Sequence, residues 1–486
     1  MESPSTKTEK IILGAVLILA VFLILFHFTD TPKVWVDEGV FTEVSKNLAT
    51  KGVLGVQTSP GEFFSMRNLL LTTSYPVIFP VATSLKIFGV GIWQARLPMI
   101  LYMFALVLLF YLFAKKRYGF YEAVLSVLLL LSFSPFYGNG RPVQGEVPAL
   151  VFLLLACYLL LLWEERFWND KKLAFFCGLS FGLAVSVKPI FLVCILPALI
   201  LCFIFWFKKI HHKTEMLVFA AGFVPPVLLW LYIHFPTLDA LMKLVPTFLY
   251  FGGTHDPSTS TLQTVLHNFG RFFTESTPIL FSVLISVVFL SILLRFFKKE
   301  SKGIATSELI LVSFIVLNSG AYLFGTGWYR YFFPAHTLLY LLFPGAIICL
   351  AEGFSKKFVR KISYIVLGSL IVFQFYFLVF LSDTSFTVRR TRNAELSSAL
   401  QEIPSIKKIL FYNTIEAVVF LQGDNYSQYL AMDTFLVAGD KDSLLKPDYD
   451  FILTDKSQSG NVALRCYKEK PLNQYYFLEK TTLCKQ

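Results

Sequence analysis

Charged residues are scarce in this chain: only 15% of its 486 residues are Asp, Glu, Lys or Arg, while 55% are hydrophobic. A soluble domain carries about 25% charged residues. The apolar residues form runs of roughly 17–25 residues, the length that crosses the hydrocarbon core of a bilayer as a helix. These runs lack the alternation of membrane-spanning strands. The sequence therefore predicts an α-helical polytopic membrane protein.

Cysteine is also rare, with seven residues, and no Cys/His spacing typical of a zinc site occurs. Five of the cysteines fall inside apolar runs, where we expect inert packing residues. Cys466 and Cys484 lie in the tail, where they can form a disulfide if the tail is extracytoplasmic. A glycine-rich phosphate loop is missing from the tail, so we expect no nucleotide site there.

The formal net charge of +11 comes from the helical part of the chain, because residues 382–486 carry 13 Lys and Arg against 13 Asp and Glu. The excess lies in four short basic loops, which are 115–119, 208–213, 295–302 and 356–361. Short loops rich in Lys and Arg stay on the cytoplasmic side of a membrane. The basic charge therefore indicates topology, and we expect no nucleic-acid partner.

The apolar runs and basic loops together predict about eleven transmembrane helices, at 11–28, 96–114, 120–136, 146–163, 172–187, 189–207, 216–234, 278–296, 305–324, 334–351 and 362–381. With a cytoplasmic N-terminus, all four basic loops fall inside and the tail falls outside. The first run has no clean small-residue cleavage site, so we expect it to be retained as a helix.

Two domains follow from this topology: a transmembrane domain over 1–381, and a small extracytoplasmic α/β domain over 382–486. The transmembrane domain has two long outer loops, 29–95 and 235–277. In the tail, 406–413 and 448–455 are typical of buried strands, with a helix ending at Gly423 between them.

The first outer loop contains two predicted helices. Val40, Val44 and Leu48 share one face of the first, and Gly52 is its expected stop. The second, from Tyr75 to Phe88, is short for a span and contains two prolines. We expect it to lie in or dip into the membrane interface.

Isolated charges near a bilayer are expensive and usually functional. On the outer side they are few, at the ends of different predicted helices: Asp37, Glu38, Arg96, Arg141, Glu146, Lys188 and Arg330. We expect these side chains to converge on a cavity that opens outward. Such a cavity suits an anionic lipid phosphate together with a group that must be deprotonated.

Asp37 is the strongest candidate base, since a carboxylate at a partly dehydrated helix start can accept a hydroxyl proton. The alternative is an ordinary helix cap, and the two roles are compatible. Glu38 is either a metal or acceptor ligand or a solvated neighbour. A divalent metal is left open.

Arg96 and Lys188 are candidate phosphate ligands, the first through a planar fork and the second as a point charge before Pro189. The alternative for both is a side chain that snorkels to lipid headgroups.

Arg141 and Glu146 flank the short turn "GRPVQGEVP". They either pair with each other, or Glu146 is a second catalytic or acceptor-binding carboxylate. In "GWYRYFFPAH", Arg330 stands between Tyr329 and Tyr331. This pattern is typical of an aromatic belt, and it also fits tyrosines that stack on a sugar beside a phosphate-binding arginine.

Taken in order, these pieces resemble the polytopic GT-C glycosyltransferases related to protein O-mannosyltransferases and to the lipid A aminoarabinose transferase. The resemblance covers about 1–350 and rests on the segments "DEGVFTEVSKNLATKG", "SYPVIFPVATSLKIFGVGIWQARLP", "YLFAKKRYG", "SPFYGNGRPVQGEVPALVFLLLACY", "GLAVSVKPIFLVCILPAL" and "RYFFPAH". The tail is loosely similar to the small extracytoplasmic domain of many relatives.

The resemblance implies a membrane glycosyltransferase that moves a sugar from a polyprenyl-phosphate-linked donor to a lipid, glycan or protein acceptor outside the cell membrane. It makes Asp37 the catalytic carboxylate, and places Arg96, Lys188 and Arg330 around the lipid phosphate. The family usually has aspartate where this chain has Glu146, and a doubled proline where it has Tyr75-Pro76. The competing hypothesis is a transporter or flippase that uses the same cations, with Lys188-Pro189 as a helix break.

Overall fold

The structure is a computed structural model that describes residues 6–65, 72–206, 213–235, 237–242, 260–298, 303–325, 327–353, 357–382, 392–432, 436–440, 449–455, 467–472 and 475–480. Outside these residues lie Cys466, Cys484, residues 208–212 of one basic loop and residues 243–259 of the second outer loop. The tail disulfide and the middle of the second outer loop therefore stay predictions.

Helices dominate the described part of the chain. They are α1 (Thr6–Leu25), α2 (Val36–Lys51), α3 (Tyr75–Phe88), α4 (Ile92–Arg117), α5 (Phe120–Ser132), α6 (Ser134–Gly140), α7 (Glu146–Glu165), α8 (Lys171–Val187), α9 (Ile190–Trp206), α10 (Lys213–His234), α11 (Leu238–Met242), α12 (Thr261–Thr274), α13 (Ser276–Lys298), α14 (Thr306–Phe324), α15 (Tyr329–Gly353), α16 (Lys357–Tyr376) and α17 (Arg392–Gln401). A π-helical turn, Phe377–Leu381, extends α16, and a 3-10 helix covers Ile415–Phe420.

Eight of the described helices are long and apolar enough to cross a membrane, namely α1, α4, α7, α10, α13, α14, α15 and α16. They confirm the predicted fold class, and the chain is a multi-pass membrane protein. The count is below the predicted eleven because three predicted spans fall on bent or short helices. The helices α5 and α6 meet at an angle of 67° just before Pro135, which lacks the N–H of a continuous helix. Helices α8 and α9 have only 17 residues each.

The helices of the first outer loop have the predicted character. Helix α2 ends at Gly52, whose positive φ of 73° lets its N–H reach the carbonyls of Asn47 and Leu48. Helix α3 covers Tyr75–Phe88 as expected.

An antiparallel hairpin, β1 (Gly55–Ser59) and β2 (Glu62–Ser65), follows α2. The strands of the tail are β3 (Ile409–Tyr412), β4 (Tyr426–Met432), β5 (Leu436–Ala438), β6 (Phe451–Asp455), β7 (Tyr467–Leu472) and β8 (Tyr475–Lys480). In the described part of the tail they form a separate six-stranded mixed sheet in the order β5-β4-β3-β6-β8-β7. Strand β3 is buried along its whole length and lies parallel to β4 and β6.

Strands β3 and β6 confirm the two buried strands predicted in the tail. The segment between β3 and Gly423 is a short 3-10 helix in place of the predicted longer helix. Its adjacent β-branched residues, Val418 and Val419, disfavour a longer helix.

The chain divides into two compact units. The helical unit contains Met1–Phe26, Leu101–Gly140 and Gly145–Thr387, and the loop–tail unit contains His27–Ile100, Arg141–Gln144 and Val388–Gln486. The first outer loop thus packs in the same unit as the tail, although the sequence analysis grouped it with the transmembrane helices.

The helical unit carries polar clusters at opposite ends of α7. Glu146 is the first residue of this helix, and Glu164 lies about 27 Å further along its axis, since each residue rises about 1.5 Å. At the Glu164 end, Glu308 accepts hydrogen bonds from Arg117 and Arg295. This end contains the predicted cytoplasmic loop 115–119.

The loop–tail unit has its own apolar core, formed where α17 and the 3-10 helix cover one side of the sheet. Its buried members include Val34 from the segment before α2, Leu396 from α17, and Phe411 from β3. The start of α2 is therefore tied to the core of the tail.

Candidate functional site

Asp37 and Glu38 lie in the first turn of α2. Trp35 is the N-cap residue and makes no side-chain capping bond, so Asp37 is not the helix cap. Its carboxylate lies where the helix dipole favours negative charge. The side chain of Asp37 is partly exposed, whereas Glu38 is fully buried.

Glu38 and Arg96 form a buried bidentate ion pair. Nε of Arg96 donates to Oε1 of Glu38 at 2.7 Å, and Nη2 donates to Oε2 at 2.8 Å. Both side chains have 0% exposure. Two parallel bonds between planar groups fix the relative orientation of α2 and the start of α4.

The remaining donors of Arg96 bind the backbone that leads into α2. Nη1 donates to the carbonyls of Phe28 at 2.6 Å and Thr31 at 3.3 Å, and Nη2 donates to that of Pro32 at 2.9 Å. All five guanidinium N–H groups thus point to protein oxygens. A phosphate could bind Arg96 only if one of these bonds were broken.

Arg141 binds the same segment. It is 1% exposed, and its Nη1 donates to the hydroxyl of Thr31 at 2.7 Å and to the Thr31 carbonyl at 3.2 Å. The backbone N–H of Val143 donates to Glu38 at 3.4 Å. In this structure Arg96 and Arg141 therefore hold the chain just before Asp37.

A second cluster lies in the helical unit, around Glu146 and Lys188. Lys188 is the C-cap of α8, and Pro189 follows it, so the lysine stands at a helix break as predicted. Its Nζ donates to Oε1 of Glu146 at the start of α7. Both side chains are buried, and Oε2 of Glu146 has no hydrogen-bond partner among the described residues.

Tyr331 joins this cluster to Arg330. Nζ of Lys188 lies 5.6 Å from the centre of the Tyr331 ring. The guanidinium of Arg330 lies 4.9 Å from the same ring and 4.8 Å from that of Trp328, and it donates to the Tyr331 hydroxyl at 3.0 Å. Two cations thus flank one aromatic ring, an arrangement suited to a phosphate and a stacked sugar.

Tyr329 differs from its neighbours. Its hydroxyl is 3.0 Å from Nδ1 of His336, two turns of helix away, instead of being paired with Arg330. The predicted residues thus fall into two groups, Glu38, Arg96 and Arg141 in the loop–tail unit and Glu146, Lys188, Arg330 and Tyr331 in the helical unit. Their convergence on one outward cavity stays a prediction.

Several buried polar residues were not predicted from the sequence. Glu43 and Lys46 follow Asp37 on α2 and are each 1% exposed. The signal for Glu43 was its place between Val40 and Val44, on the predicted apolar part of the helix. Asn393, at the start of α17, left no signal, because its partners are distant in the chain.

Within the described ranges, no group of three or more His, Cys, Asp or Glu side chains is placed to hold a metal ion.

Known proteins similar to this chain support the predicted fold. Residues 76–230 match the model of the dolichyl-phosphate-mannose-protein mannosyltransferase family. No curated protein matches the chain.

Solved structures match nearly the whole chain at low identity. ArnT from Cupriavidus metallidurans bound to undecaprenyl phosphate matches with a TM-score of 0.62 and 11% identity, over 98% of this chain and 99% of that one. Its apo state gives 0.62 and 13%, over 98% of both chains. The oligosaccharyltransferase of Archaeoglobus fulgidus in the apo form gives 0.55 and 10%, over 93% of this chain and 70% of that one. The chain therefore has the fold of the polytopic GT-C glycosyltransferases, and the resemblance indicated by its ordered motifs is confirmed.

Proposed function

We propose that this protein is a membrane glycosyltransferase that moves a hexose or pentose from a polyprenyl-phosphate-linked donor to an acceptor hydroxyl on the extracytoplasmic side. The observation that carries the proposal is the GT-C fold over 98% of the chain, with Asp37 partly exposed at the rigidly held start of α2. The solved relative with this fold binds undecaprenyl phosphate.

The proposed reaction is a single displacement with inversion. Asp37 accepts the proton of the acceptor hydroxyl, whose oxygen attacks the anomeric carbon of the donor sugar. The bond between that carbon and the phosphate oxygen breaks, and the polyprenyl phosphate leaves with the electron pair. Phosphate is a good leaving group, so the step needs no strong general acid.

We assign Lys188 and Arg330 to the donor phosphate. Negative charge develops on the leaving oxygen, and fixed cations stabilise it most strongly in a site from which water is excluded. Tyr331 lies beside both cations, where its partly exposed side chain can contact the donor sugar. Arg330 and Tyr331 are only partly buried, so a substrate can reach them.

Glu146 receives a different role from the other carboxylates. As the buried partner of Lys188, it holds the ammonium group in position before the donor binds. Its second oxygen can accept a hydrogen bond from a substrate hydroxyl, or from Lys188 when that lysine binds the donor phosphate. Arg96, Arg141 and Glu38 are assigned to positioning, because their polar groups are already bonded to one another or to the backbone.

The test is a transfer assay with purified protein in vesicles and a panel of labelled polyprenyl-phosphate sugars. We expect at least one donor to give a new glycosidic product, and Asp37→Asn to lower kcat by about 10²–10⁴-fold. The unfolding temperature of the variant should fall only slightly, since a charge in the first turn of a helix contributes about 0.3–1 kcal/mol. Movement of a labelled donor across the vesicle without any new glycosidic bond would support the flippase hypothesis and contradict this one.

A further inference from the structure

One face of α2 packs against the C-terminal segment of the loop–tail unit. The residues that make these contacts are Gly39, Glu43 and Lys46, which are spaced i, i+4 and i+7 and so share one stripe of the helix. None of them belongs to the proposed reaction centre.

Gly39 is the point of closest approach. A Cβ at this position would lie 2.5 Å from Cα of Glu416 and 2.7 Å from its backbone nitrogen, both in the 3-10 helix. Only a residue without a side chain permits this contact, because the obstacle is backbone. The backbone of α2 therefore rests directly on the tail, one residue after Glu38.

Glu43 connects the next turn of α2 to the sheet. Its Oε1 accepts hydrogen bonds from the hydroxyl of Tyr426 at 2.9 Å, Nε2 of Gln428 at 2.7 Å and the backbone N–H of Gln57 at 2.9 Å. Two of these donors come from β4 and one from β1. A carboxylate that receives several donors from fixed strands has a single well-defined position.

Lys46 extends the contact to the end of the stripe. Its Nζ donates to the carbonyls of Leu421 and Gly423, each at 3.3 Å, and lies 3.6 Å from a carboxylate oxygen of Asp424. The side chain also passes over the ring of Tyr426, at 5.2 Å. A lysine this deeply buried is stable only when its charge is paired and its protons are bonded.

Asn393 holds the segment that leads into the helix. Its Nδ2 donates to the carbonyls of Thr29 at 2.9 Å, Asp30 at 3.2 Å and Pro32 at 3.2 Å, and its Oδ1 accepts from the N–H of Val34 at 3.1 Å. One side chain from α17 thus satisfies four backbone groups just before Asp37.

From these contacts we propose that the C-terminal segment 392–432 positions Asp37 for the transfer step, by fixing both the entry to α2 and the face of α2 opposite to that carboxylate. Successive residues are about 100° apart around a helix, so Asp37 lies roughly 200° from Gly39. The stripe therefore contacts the tail, while Asp37 lies on the opposite side of the helix, away from the tail. The proposal rests on the proposed function, since it assigns the tail a task in that reaction.

The experiment compares Gly39→Ala with Gly270→Ala, a matched substitution in a helix where an added Cβ would meet nothing within 4 Å. We expect Gly39→Ala to lower kcat on the order of 100-fold, the cost of displacing a catalytic group by about 1 Å. KM for the donor should stay near its wild-type value. Hydrogen exchange of amides 38–47 should become faster in Gly39→Ala and stay unchanged in Gly270→Ala.

A second series covers the case in which Gly39→Ala fails to fold. Glu43→Gln keeps an acceptor oxygen at the same place, whereas Glu43→Ala removes it. We expect kcat to fall from wild type to Glu43→Gln to Glu43→Ala, with exchange of amides 38–47 rising in the same order.

Faster exchange with an unchanged kcat, or a lower kcat with unchanged exchange, would overturn the proposal. Failure of the proposed function looks different, because the wild type itself would then form no glycosidic product with any donor. If the wild type is active and none of the three variants changes kcat, only the positioning role is overturned.

Discussion

Asp37 and Glu38 are neighbours in the chain, yet their surroundings assign them different tasks. Asp37 is partly exposed, while Glu38 is fully buried in an ion pair with Arg96. Successive helical residues point about 100° apart, so one faces the protein interior while the other does not. Of the two carboxylates, we therefore propose Asp37 as the proton acceptor.

The planar guanidinium of Arg96 donates five hydrogen bonds, so its replacement is predicted to lower the stability of the protein. Arg96→Lys keeps the charge but cannot supply five donors in one plane, so buried acceptors lose their partners. We expect the free energy of unfolding to fall by about 1–3 kcal/mol for each acceptor left unbonded. Chemical unfolding in detergent measures the change.

Arg166→Lys is the matched control, because that arginine is 65% exposed and pairs with Asp170 at the surface. Its effect should stay within about 0.5 kcal/mol. Equal losses in the two variants would mean that the Arg96 fork contributes no specific stability.

Glu43 predicts a pH dependence. Burial raises the pKa of its carboxyl above the ordinary value of 4.5, and the bonds from Gln428, Gln57 and Tyr426 and the charge of Lys46 oppose this shift. A raised pKa means that the folded state binds the proton more tightly than the unfolded state. The contribution of Glu43 to stability is therefore full below about pH 4.5 and is lost as pH rises through the folded pKa.

Melting temperatures measured from pH 4 to 8 test this sign. The melting-temperature difference between the wild type and Glu43→Gln should fall as pH rises. A Glu43 difference that rises with pH would contradict the raised pKa.

At the scale of elements, three glycines bring α8 and α10 into backbone contact. A Cβ on Gly178 would lie 2.0 Å from the carbonyl oxygen of Phe219, and one on Gly182 would lie 2.4 Å from that of Phe223. A Cβ on Gly222 would lie 2.2 Å from the carbonyl oxygen of Phe175. The spacing of Gly178 and Gly182 is the small-residue pattern that lets membrane helices pack closely.

Gly178→Ala should therefore separate these helices and lower the melting temperature in detergent. Gly320→Ala, in α14, is the control, because an added Cβ there meets nothing within 4 Å. We expect the control to be neutral or slightly stabilising, since alanine favours a helix over glycine. A neutral Gly178→Ala would show that the α8–α10 contact can relax without cost.

At the scale of the whole molecule, the charges at helix ends predict the orientation in the membrane. Lys115 pairs with Glu9 of α1 at 3.7 Å, and Lys116 pairs with Glu165 of α7 at 2.8 Å. The N-terminus and the basic loop 115–119 thus belong to one end of the helical unit. The positive-inside rule predicts that this end is cytoplasmic.

Single cysteines, introduced after replacement of the seven native ones, test the topology. Phe167 is 85% exposed and follows α7 at the end predicted to be cytoplasmic, and Ile406 is 82% exposed in the tail. A membrane-impermeant maleimide added to intact cells should label Ile406→Cys and should label Phe167→Cys only after lysis. The reverse pattern would invert the proposed orientation.

Much of the architecture was predictable, because it depends on local patterns. Hydrophobic run length identified membrane helices, and a glycine with positive φ ended α2 where expected. Strands β3 and β6 were predictable because a short apolar run bounded by polar residues suits a buried strand. The 67° bend at Phe133 was not foreseen, although Pro135 supplied its cause.

The sequence by itself determined the membrane class, the two helices of the first outer loop and the short set of isolated charges near the outer face. Run length, periodicity and the cost of burying charge are all properties of neighbouring residues. Tertiary structure alone decided which charges are already paired, because Glu38 meets Arg96 across 58 positions and Asn393 meets Asp30 across 363. Contacts at such separations depend on how elements pack, and one-dimensional patterns do not record them. That packing left Asp37 partly exposed and bonded the buried Arg96 to protein oxygens.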